Sequence, residues 1–548
     1  MTFKPSPAQQ AFYDWVETNT GNCILNAVAG AGKTTTILNG IAKMRGKVWF
    51  GVYNKKMATE IQEKLAGRKD LARRAQFAEK KERVESSTFH SLGFSLVNSS
   101  LGRGQRADVD EKKVKRIIDR IIAEKEATDQ QRRDDLRELA GAVESIVSMA
   151  KNRGFVGKRV AERYGLTDAS DVNAWMDMLE TFDLLDAIPE GTETTAINFA
   201  RAVLKRSNDD LESIDMDDMV YLPLVRDLRL APWHQFDWVL IDEAQDTNPT
   251  RRALARKVMG PQARLVAVGD PHQAIFGFTG ADNDALEQIR DTFNARELPL
   301  TVTYRCPKAV VAHAQQWVDH IIAHDSAPEG QVLTQHYLDF VDSLPTLERA
   351  TYGETAILCR YNKYLVGLCF KMIRMGLPAK IEGRNIGEGL VKLATRWKSV
   401  KTVNGLETKL REYEEREVAK AMKKEQEQKA DRITDEVATL MTIIERVRSQ
   451  GADRVEDVVA SIEEIFEDNV AGKGLITLCS AHKSKGLEWD NVYLLDRESL
   501  MPSKFAKQDW QIQQERNLIY VAVTRAKETL IEVTGVVEEK DPTSKEGS

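Results

Sequence analysis

The sequence predicts an α/β protein with two α/β domains in tandem, each interrupted by a mostly helical segment. Short apolar runs typical of buried parallel strands alternate with helices in two separate parts of the chain. A loop of small residues at 27–35 joins an apolar run to the start of a helix. Long stretches with helical apolar spacing separate the strand-rich parts. Together these features indicate several folding units.

The loop at residues 27–34 reads AVAGAGKT and follows the apolar run 23–25. Strand, small-residue loop, Gly-Lys-Thr and helix is the order of a phosphate-binding loop. Its backbone N–H groups and the helix N-terminus favour a phosphate chain. Lys33 is expected to reach the β- and γ-phosphates, and the Thr34 hydroxyl to bind Mg²⁺. Ala27 departs from the pattern, which usually begins with Gly.

Composition excludes several classes of protein. A chain of 548 residues is too long for one core, and 42% hydrophobic with 30% charged residues is ordinary for a globular protein. No apolar run of 18 or more residues occurs, so we expect no membrane span. The expected location is the cytoplasm, for a bacterial protein or for a viral protein acting in its host. The net charge of −6 excludes a globally basic nucleic-acid coat and leaves room for a local binding groove.

The five cysteines are scattered, and none forms a C-x-x-C pair. This spacing argues against a zinc site, an iron–sulfur cluster or a disulfide framework.

Strand-rich runs predict where the sheets lie. Their positions are 47–52, 84–88, 238–241 and 265–268 in the first α/β part, and 356–359, 475–479 and 492–495 in the second. Helical spacing predicts an insertion at 103–213. The stretch between Gly405 and Gly451 contains no Gly or Pro and predicts a second interruption, given the bounds 384–470. The predicted domains are therefore 1–102 with 214–283, the insertion 103–213, then 284–383 with 471–537, the insertion 384–470, and a flexible tail at 538–548.

The second insertion carries an apolar stripe with a seven-residue repeat, formed by Ile433, Val437, Leu440, Ile444 and Val447. The stripe favours packing within the chain, with a coiled coil to a protein partner as the alternative. The charge-rich stretch 411–432 before it is typical of a solvated helix.

The strand at 238–241 ends in the sequence DEAQDTN at residues 242–248. An apolar strand that delivers two carboxylates to its C-terminal end complements a phosphate loop. Asp242 is expected to hold Mg²⁺, directly or through water. Glu243 is expected to orient and deprotonate the attacking water.

The sequence at 242–248 resembles motif II of the UvrD/Rep-type superfamily 1 DNA helicases, and the loop at 27–34 resembles their phosphate loop, which also begins with Ala. Further stretches match the family's motifs in the expected order. They are 5–10 (Q motif), 54–58 (Ia), 88–90 (Ib), 268–281 (III), 304–305 (IV), 482–489 (V) and 514–526 (VI). The resemblance covers nearly the whole chain and implies two RecA-like domains, 1A and 2A, with the insertions 1B and 2B.

The resemblance implies ATP and Mg²⁺ as cofactors, bound between the two RecA-like domains. It implies that Gln9 reads adenine, that Tyr304 stacks on it and that Glu488 contacts the ribose. Gln273 would sense the γ-phosphate, and Arg305 and Arg525 would neutralise charge during its transfer. The remaining expected nucleotide contacts come from the phosphate loop, namely Ala29, Gly30, Ala31, Gly32 and Thr35.

The resemblance also implies contacts with single-stranded DNA, by base stacking and phosphate binding. The expected residues are Tyr53, Asn54, Thr88, Phe89, His90, Phe278, Arg360 and His482. Phe278 stands where relatives usually carry Trp, Thr279 where they often carry Arg, and Val52 where they often carry an aromatic residue. The alternatives are that Phe278 packs in the core and that His90 and His482 have structural roles.

The family form of residues 242–246 is typical of motors that move 3′→5′, so we expect a helicase that unwinds 3′-tailed duplex. Single-stranded DNA and its junctions with duplex are the expected partners, and the insertion 384–470 could bind a protein. Two alternatives stay open: a translocase that strips proteins from DNA with little unwinding, and a nucleotide-switched DNA-binding subunit. The acidic segment 215–219 is expected to be a helix cap or a linker.

Overall fold

The chain folds into two units, Met1–Val28 with Gly32–Thr301 and Ala29–Ala31 with Val302–Ser548. The computed structural model describes residues 4–18, 20–68, 71, 83–102, 104–126, 130–277, 280–282, 284–375, 377–382, 384–423, 427–466, 474–504 and 506–536. The predicted contact Phe278, its neighbour Thr279 and the tail 538–548 lie outside these residues.

The first unit is built on a sheet of six parallel strands. In sheet order they are β10, β1, β9, β8, β2 and β3. Their bounds are β1 (Asn22–Ala27), β2 (Val48–Val52), β3 (Val84–Thr88), β8 (Phe236–Ile241), β9 (Met259–Gly269) and β10 (Ala295–Leu300). Strands β1, β2 and β8 and the second half of β9 are rich in buried apolar residues, as is typical of parallel strands with both faces covered. All four strands predicted for this part of the chain are present.

The helices of the first unit precede, connect and interrupt these strands. They are α1 (Pro7–Thr18), α2 (Lys33–Ile41), α3 (Lys55–Gly67), α4 (Phe89–Ser100), α5 (Lys113–Glu126), α6 (Gln130–Arg153), α7 (Lys158–Tyr164), α8 (Val172–Thr181), α9 (Glu193–Asp209), α10 (Met216–Val225), α11 (Pro249–Val258) and α12 (Ala285–Phe293). Side-chain oxygens of Asn54, Thr88 and Asn248 cap α3, α4 and α11, as the free N–H groups of a first turn require.

The segment predicted as the first insertion is mostly helical. It adds two short parallel ladders, β4 (Asp108–Val109) with β7 (Ser213–Ile214) and β5 (Phe155–Val156) with β6 (Thr167–Asp168). Helices α5 to α9 bury their apolar faces in one cluster around Trp175, which is fully buried. The helical spacing of the sequence was interpreted correctly, because the residues that recur at that spacing belong to this cluster, namely Val114, Ile117, Ile118, Ile121 and Ile122.

One predicted boundary is wrong. The sequence assigned residues 284–300 to the second α/β domain, but β10 pairs in parallel with β1 over six residues. The main-chain N–H of Val28 also donates to the carbonyl of Leu300 (3.0 Å), which extends this pairing. This segment therefore completes the first sheet. The other domain limits stay predictions.

The acidic segment 215–219 is a helix cap. Asp215 and Asp218 form a reciprocal capping box at the start of α10. Asp218 is also buried between two lysines, with Lys113 Nζ and Lys151 Nζ each 2.7 Å from one of its oxygens. Burial alone would lower the pKa of Lys151, but the charges of Asp218 and Asp215 raise it above its ordinary value. This charged cluster ties the insertion helices α5 and α6 to α10.

The second unit is built on another sheet of six parallel strands, in the order β13, β18, β17, β14, β16 and β15. Their bounds are β13 (Gln331–His336), β14 (Thr355–Cys359), β15 (Ala379–Glu382), β16 (Ile476–Ser480), β17 (Trp489–Leu495) and β18 (Ala526–Thr534). A separate short ladder joins β11 (Val302–Thr303) to β12 (Ile322–Ala323). The three strands predicted for this part are confirmed as β14, β16 and β17.

The helices of the second unit include a helical insertion. They are α13 (Lys308–Ala314), α14 (Tyr337–Ser343), α15 (Asn362–Arg374), α16 (Arg384–Ala394), α17 (Val403–Lys423), α18 (Glu427–Ser449), α19 (Val455–Phe466), α20 (Arg497–Leu500) and α21 (Asp509–Val523). The apolar stripe from Ile433 to Val447 lies on α18 and is buried in the same core as the strand residue Ile357. Packing within the chain, the favoured interpretation, is therefore correct.

None of the described helices is long and apolar enough to cross a lipid bilayer.

Candidate active site

The phosphate-loop segment follows the buried strand β1 and leads directly into α2. Ala27, the last residue of β1, is fully buried. Gly32 adopts a left-handed conformation (φ 74°), which a glycine reaches without steric cost, and Lys33 is the first residue of α2. The carbonyl of Gly32 accepts the first helical bond from Thr36 N (2.9 Å). The helix N-terminus therefore opens at the residues expected to bind phosphate.

Parallel strands bring three of the predicted motifs to one edge of the first sheet. Strands β1, β9 and β8 are neighbours, and each ends at that edge. The phosphate-loop segment follows β1, motif III follows β9 and motif II follows β8. Loops at the carboxyl ends of such strands are where open α/β sheets bind ligands.

Asp242 and Glu243 leave β8 in different environments. Asp242 is 5% exposed, and its Oδ1 accepts a hydrogen bond from Glu243 N (3.0 Å). Glu243 has a left-handed backbone (φ 48°), which is uncommon outside glycine. Its Oε2 lies 3.6 Å from Lys33 Nζ. The predicted base and the phosphate-loop lysine are thus neighbours.

The carboxyl group of Asp242 favours a bound cation. Burial and the charge of Glu243 raise its pKa to about 7, against the opposing effect of Lys33. A buried carboxylate with this surplus of negative charge suits a divalent ion. Within the described residues, no group of three His, Cys, Asp or Glu side chains could hold a metal. Mg²⁺ commonly uses one or two protein ligands with water and substrate phosphates, so Thr34 and Asp242 fit.

Motif III joins motif II through hydrogen bonds. Gln273 is buried in the short helical turn Pro271–Gln273, and its Nε2 donates to Asp270 Oδ2 (2.7 Å). Asp270 N donates to Gln245 Oε1 (3.1 Å), and Gln245 Nε2 donates to Glu243 Oε2 (2.6 Å). The predicted γ-phosphate sensor and the predicted base therefore belong to one network.

Gln9 is held between the first helix and α2. Its Nε2 donates to Thr36 Oγ1 (3.0 Å), and its Oε1 accepts from Ser6 N (3.0 Å). These bonds place the amide of Gln9 beside the first turn of α2. The side chain of Thr35 on the same helix is exposed.

The residues of the second unit that are predicted to contact the nucleotide have different partners in the structure. Arg305 Nε donates to Glu488 Oε2 (2.5 Å), so these two residues form an ion pair. Arg525 is buried, and its guanidinium donates to the carbonyls of Val521 (2.8 Å) and Leu487 (3.1 Å). Tyr304 is 45% exposed and its ring contacts His324. An exposed aromatic ring beside an arginine is available for stacking on a base.

Apart from Phe278, the predicted DNA contacts of the first unit lie at the ends of β2 and β3, which continue the same sheet edge. Three of them have local structural roles. The side chains of Asn54 and Thr88 cap helices, and Phe89 is 4% exposed and packs edge-on against Trp49. The Phe89 ring therefore belongs to the core. His90 is half-buried, and burial together with Arg251 lowers its pKa to about 4, so its ring is neutral at pH 7.

Tyr53 forms an aromatic pair that the sequence did not indicate. Its ring stacks on Phe276, with centroids 5.8 Å apart and planes 11° from parallel. The guanidinium of Arg251 lies over the Tyr53 ring, 5.3 Å from its centroid. Neither Phe276 nor Arg251 was singled out from the sequence. One feature of the sequence pointed to this surface: Tyr53 is an aromatic residue next to Val52, the position at which relatives often carry an aromatic residue.

The predicted DNA contacts of the second unit follow the neighbouring strands β14 and β16. Arg360 makes a forked ion pair with Glu515, with nitrogen–oxygen distances of 2.9–3.1 Å. Burial, with the charge of Arg360, lowers the pKa of His482 to about 3. His482 is therefore neutral at pH 7. Gln245, Asp270 and Glu515 are structural partners of site residues that sequence reasoning missed.

Two parallel α/β sheets, with a phosphate-loop segment on β1 and an Asp-Glu pair on β8, define a protein of the tandem RecA-like class. A profile of the UvrD/REP helicase N-terminal domain matches residues 8–294, and one of the UvrD-like helicase C-terminal domain matches residues 386–534. The first match alone covers more than half of the chain. The protein belongs to the UvrD/Rep helicase family.

Curated relatives are similar to this chain at low identity. The ATP-dependent DNA helicase PcrA of Leuconostoc citreum is 23% identical over 407 residues, covering 67% of this chain and 49% of the relative. The ATP-dependent DNA helicase Rep of Escherichia coli (strain K12) is 26% identical over 317 residues, covering 55% and 41%. The ATP-dependent DNA helicase UvrD1 of Mycobacterium tuberculosis (strain ATCC 25618 / H37Rv) is 24% identical over 403 residues, covering 66% and 48%. The chain spans about half the length of the first of these relatives.

Proposed function

We propose that the protein is an ATP-hydrolysing DNA helicase that moves 3′→5′ on single-stranded DNA and unwinds 3′-tailed duplex. The observation that carries the proposal is the arrangement at the carboxyl edge of the first sheet. There the phosphate-loop segment, motif II and motif III follow three neighbouring strands, and hydrogen bonds link Glu243 to Gln273. The same edge continues to Tyr53 and His90, which follow β2 and β3.

In the proposed chemistry, Lys33 and the backbone of residues 29–32 bind the phosphates of ATP. Thr34 and Asp242 would hold Mg²⁺, which would supply positive charge to the phosphates when bound. Glu243 accepts a proton from the water that attacks the γ-phosphorus. The bond from that phosphorus to the bridging oxygen breaks, and the electron pair leaves with ADP.

Residues of the second unit complete the proposed roles. Arg305 and Arg525 neutralise charge on the transferred phosphoryl group, an effect that can be worth about 10³–10⁵ in rate. Tyr304 stacks on adenine and Glu488 contacts the ribose. The pairing of Arg305 with Glu488 supports assigning both to one ligand, since each orients the other.

Single-stranded DNA is the proposed polymer substrate. Tyr53 and Phe276 supply stacked rings, which bind bases with little regard to sequence. Arg251 adds a positive charge at that pair, and Arg360 and His482 are proposed contacts on the second unit. The domain limits predicted from the sequence are proposed to hold, with residues 284–300 moved to the first domain.

The test is an ATPase and unwinding assay on 3′-tailed DNA, 5′-tailed DNA and the matching RNA duplexes. We expect ATPase activity stimulated by single-stranded DNA, and unwinding of the 3′-tailed DNA only. The Glu243→Gln protein, prepared in parallel, controls for a contaminating ATPase. Equal unwinding of the 5′-tailed substrate would contradict the polarity. ATP hydrolysis that removes a bound protein block without unwinding duplex would favour the translocase. ATP hydrolysis that DNA does not stimulate would favour the nucleotide-switched DNA-binding subunit.

A further inference from the structure

We propose that Gln245 is a positioning residue that sets the carboxylate of Glu243 and couples it to motif III. The inference rests on the proposed ATP hydrolysis and adds to it a residue with a defined role. Gln245 lies in the helical turn Ala244–Asp246, two residues after Glu243, and is 1% exposed. The roles expected for motif II concern Asp242 and Glu243 and assign none to Gln245.

The two ends of the Gln245 amide have opposite partners. Nε2 donates to Glu243 Oε2 at 2.6 Å, and Oε1 accepts from the main-chain N–H of Asp270 at 3.1 Å. A flipped amide would place its NH₂ group against the N–H of Asp270 and its oxygen against a carboxylate. Only one orientation satisfies both partners, so the carboxylate position of Glu243 is tied to the main chain after β9.

Glu243 needs such support because its own backbone is strained. A left-handed φ of 48° at a residue with a long side chain costs free energy and persists only where the surroundings fix it. Lys33 Nζ is 3.6 Å from the same carboxylate oxygen, which is beyond the distance of a direct hydrogen bond. The 2.6 Å bond from Gln245 is therefore the closer restraint.

Gly269 makes the approach of Gln245 to motif III possible. A Cβ atom at position 269 would overlap Gln245 Oε1 and lie 3.1 Å from Gln245 N. Only a residue without a side chain lets the amide reach the N–H of Asp270. The sequence therefore supplies a glycine at the point where the two loops must meet.

The network continues to the predicted γ-phosphate sensor. The side chain of Asp270 accepts from Gln273 Nε2 at 2.7 Å, while its main-chain N–H donates to Gln245. A displacement of Gln273 on binding the γ-phosphate would move Asp270, and through Gln245 it would move Glu243. Gln245 thus makes the position of the base respond to motif III, which predicts an effect on turnover rather than on ATP affinity.

The test compares Gln245→Glu with the wild-type protein. The variant keeps an oxygen that accepts from Asp270 N but replaces the donor to Glu243 with a second carboxylate oxygen. We expect kcat of the DNA-stimulated ATPase to fall about 10- to 100-fold, the scale of a misplaced catalytic group. The KM for ATP and the Kd of a non-hydrolysable ATP analogue should stay within about twofold of wild type, because Gln245 is not a proposed ligand of the nucleotide.

Gln262→Glu is the matched control, since it makes the same change on an exposed part of β9. Gln245→Met is the second variant: it keeps the size, removes both hydrogen bonds and adds no charge, so it should lower kcat with an unchanged KM. Gly269→Ala should act in the same direction by displacing the amide. Analogue binding at wild-type affinity verifies that each variant is folded.

Three results would overturn either the positioning role alone or the proposed function with it. A wild-type kcat in both Gln245 variants, in a protein whose wild-type form hydrolyses ATP, would overturn the positioning role alone. The positioning role predicts that turnover falls while analogue binding is retained. Loss of analogue binding in parallel with turnover, in both variants, would therefore also overturn it. A wild-type protein without ATPase activity would overturn the proposed function and the inference with it.

Discussion

The rings of Tyr53 and Phe276 lie 11° from parallel with centroids 5.8 Å apart, and the guanidinium of Arg251 lies 5.3 Å from the Tyr53 centroid. Tyr53 follows β2 and Phe276 belongs to motif III, so two loops at one sheet edge share an aromatic contact. Val52, where relatives often carry an aromatic residue, is fully buried in β2. Tyr53 therefore provides the aromatic surface beside that position.

We expect Tyr53→Ala to weaken binding of single-stranded DNA by about 1–3 kcal/mol, the range for one base stacked on an aromatic ring. Tyr53→Phe keeps the ring and should bind within about twofold of wild type. Fluorescence anisotropy of a labelled oligodeoxynucleotide at fixed salt measures the change. Trp233→Ala, at an exposed aromatic residue outside the predicted DNA contacts, is the control. Equal affinity of Tyr53→Ala and wild type would remove Tyr53 from the DNA surface.

Replacing the predicted base should separate ATP binding from hydrolysis. Glu243→Gln removes the proton acceptor but keeps a side chain of the same size beside Lys33. General-base removal typically costs about 10²–10⁴ in rate, so kcat should fall by that factor while analogue binding is retained. Lys33→Ala should abolish turnover, because the loop loses its cation. Normal hydrolysis by Glu243→Gln would mean that another group activates the water.

The buried charges that join the first insertion to α10 should be important for stability. Asp218 lies between Lys113 and Lys151, both fully buried, so Asp218→Ala leaves two ammonium groups in the interior with one partner fewer. Breaking a buried pair in this way typically costs about 3–5 kcal/mol. Asp209→Ala, at a mostly exposed pair with Arg226, should cost about 0–1 kcal/mol.

Peptide-resolved hydrogen exchange in increasing urea measures this difference, because it follows α5, α6 and α10 separately from the second unit. The Asp218→Ala protein should lose protection in those three helices at lower urea than wild type. Equal loss of protection in both variants would show that the buried cluster contributes no more than a surface pair.

The second unit should lose stability in acid through Glu532 on β18. Burial alone would raise the pKa of this carboxyl, but hydrogen bonds from His313 and Arg497 lower it to about 2 from an ordinary value of 4.5. Since the folded pKa lies below the unfolded one, the stabilisation is complete above pH 4.5 and is lost as the pH falls towards 2.

Glu532→Gln should therefore reduce the slope of stability against pH in that window, as measured by the urea midpoint of the second unit. Glu528→Gln, at an exposed residue of the same strand, should leave the slope unchanged. Identical slopes in the Glu532→Gln and wild-type proteins would contradict the assigned pKa.

Much of the fold and part of the candidate site could be predicted from the sequence. Strands such as Trp238–Ile241 are recognisable because parallel strands buried on both faces are apolar along their whole length. Lys33 and Glu243 could be predicted as site residues because phosphate binding and water activation require particular residue types directly after such strands, and the structure places the two side chains 3.6 Å apart. The stripe on α18 was assigned correctly because its spacing matches one helix face.

Residues 284–300 show where pattern reading ended. The sequence pattern of their helix and strand does not indicate which sheet they join, because the pairing of β10 with β1 is between residues far apart in the chain. The Phe89 ring gives a second example, because a family motif indicates a DNA contact while packing against Trp49 places the ring in the core.

The sequence by itself determined which candidate residue types follow the strands, because loop geometry and phosphate binding restrict those residues locally. Only the tertiary structure decided which of these side chains meet. Gln245 contacts Asp270, and Tyr53 stacks on Phe276, because the sheet order brings the ends of β8, β9 and β2 to one edge. That order is fixed by long-range strand pairing and by burial of the shared core, which no local sequence pattern encodes.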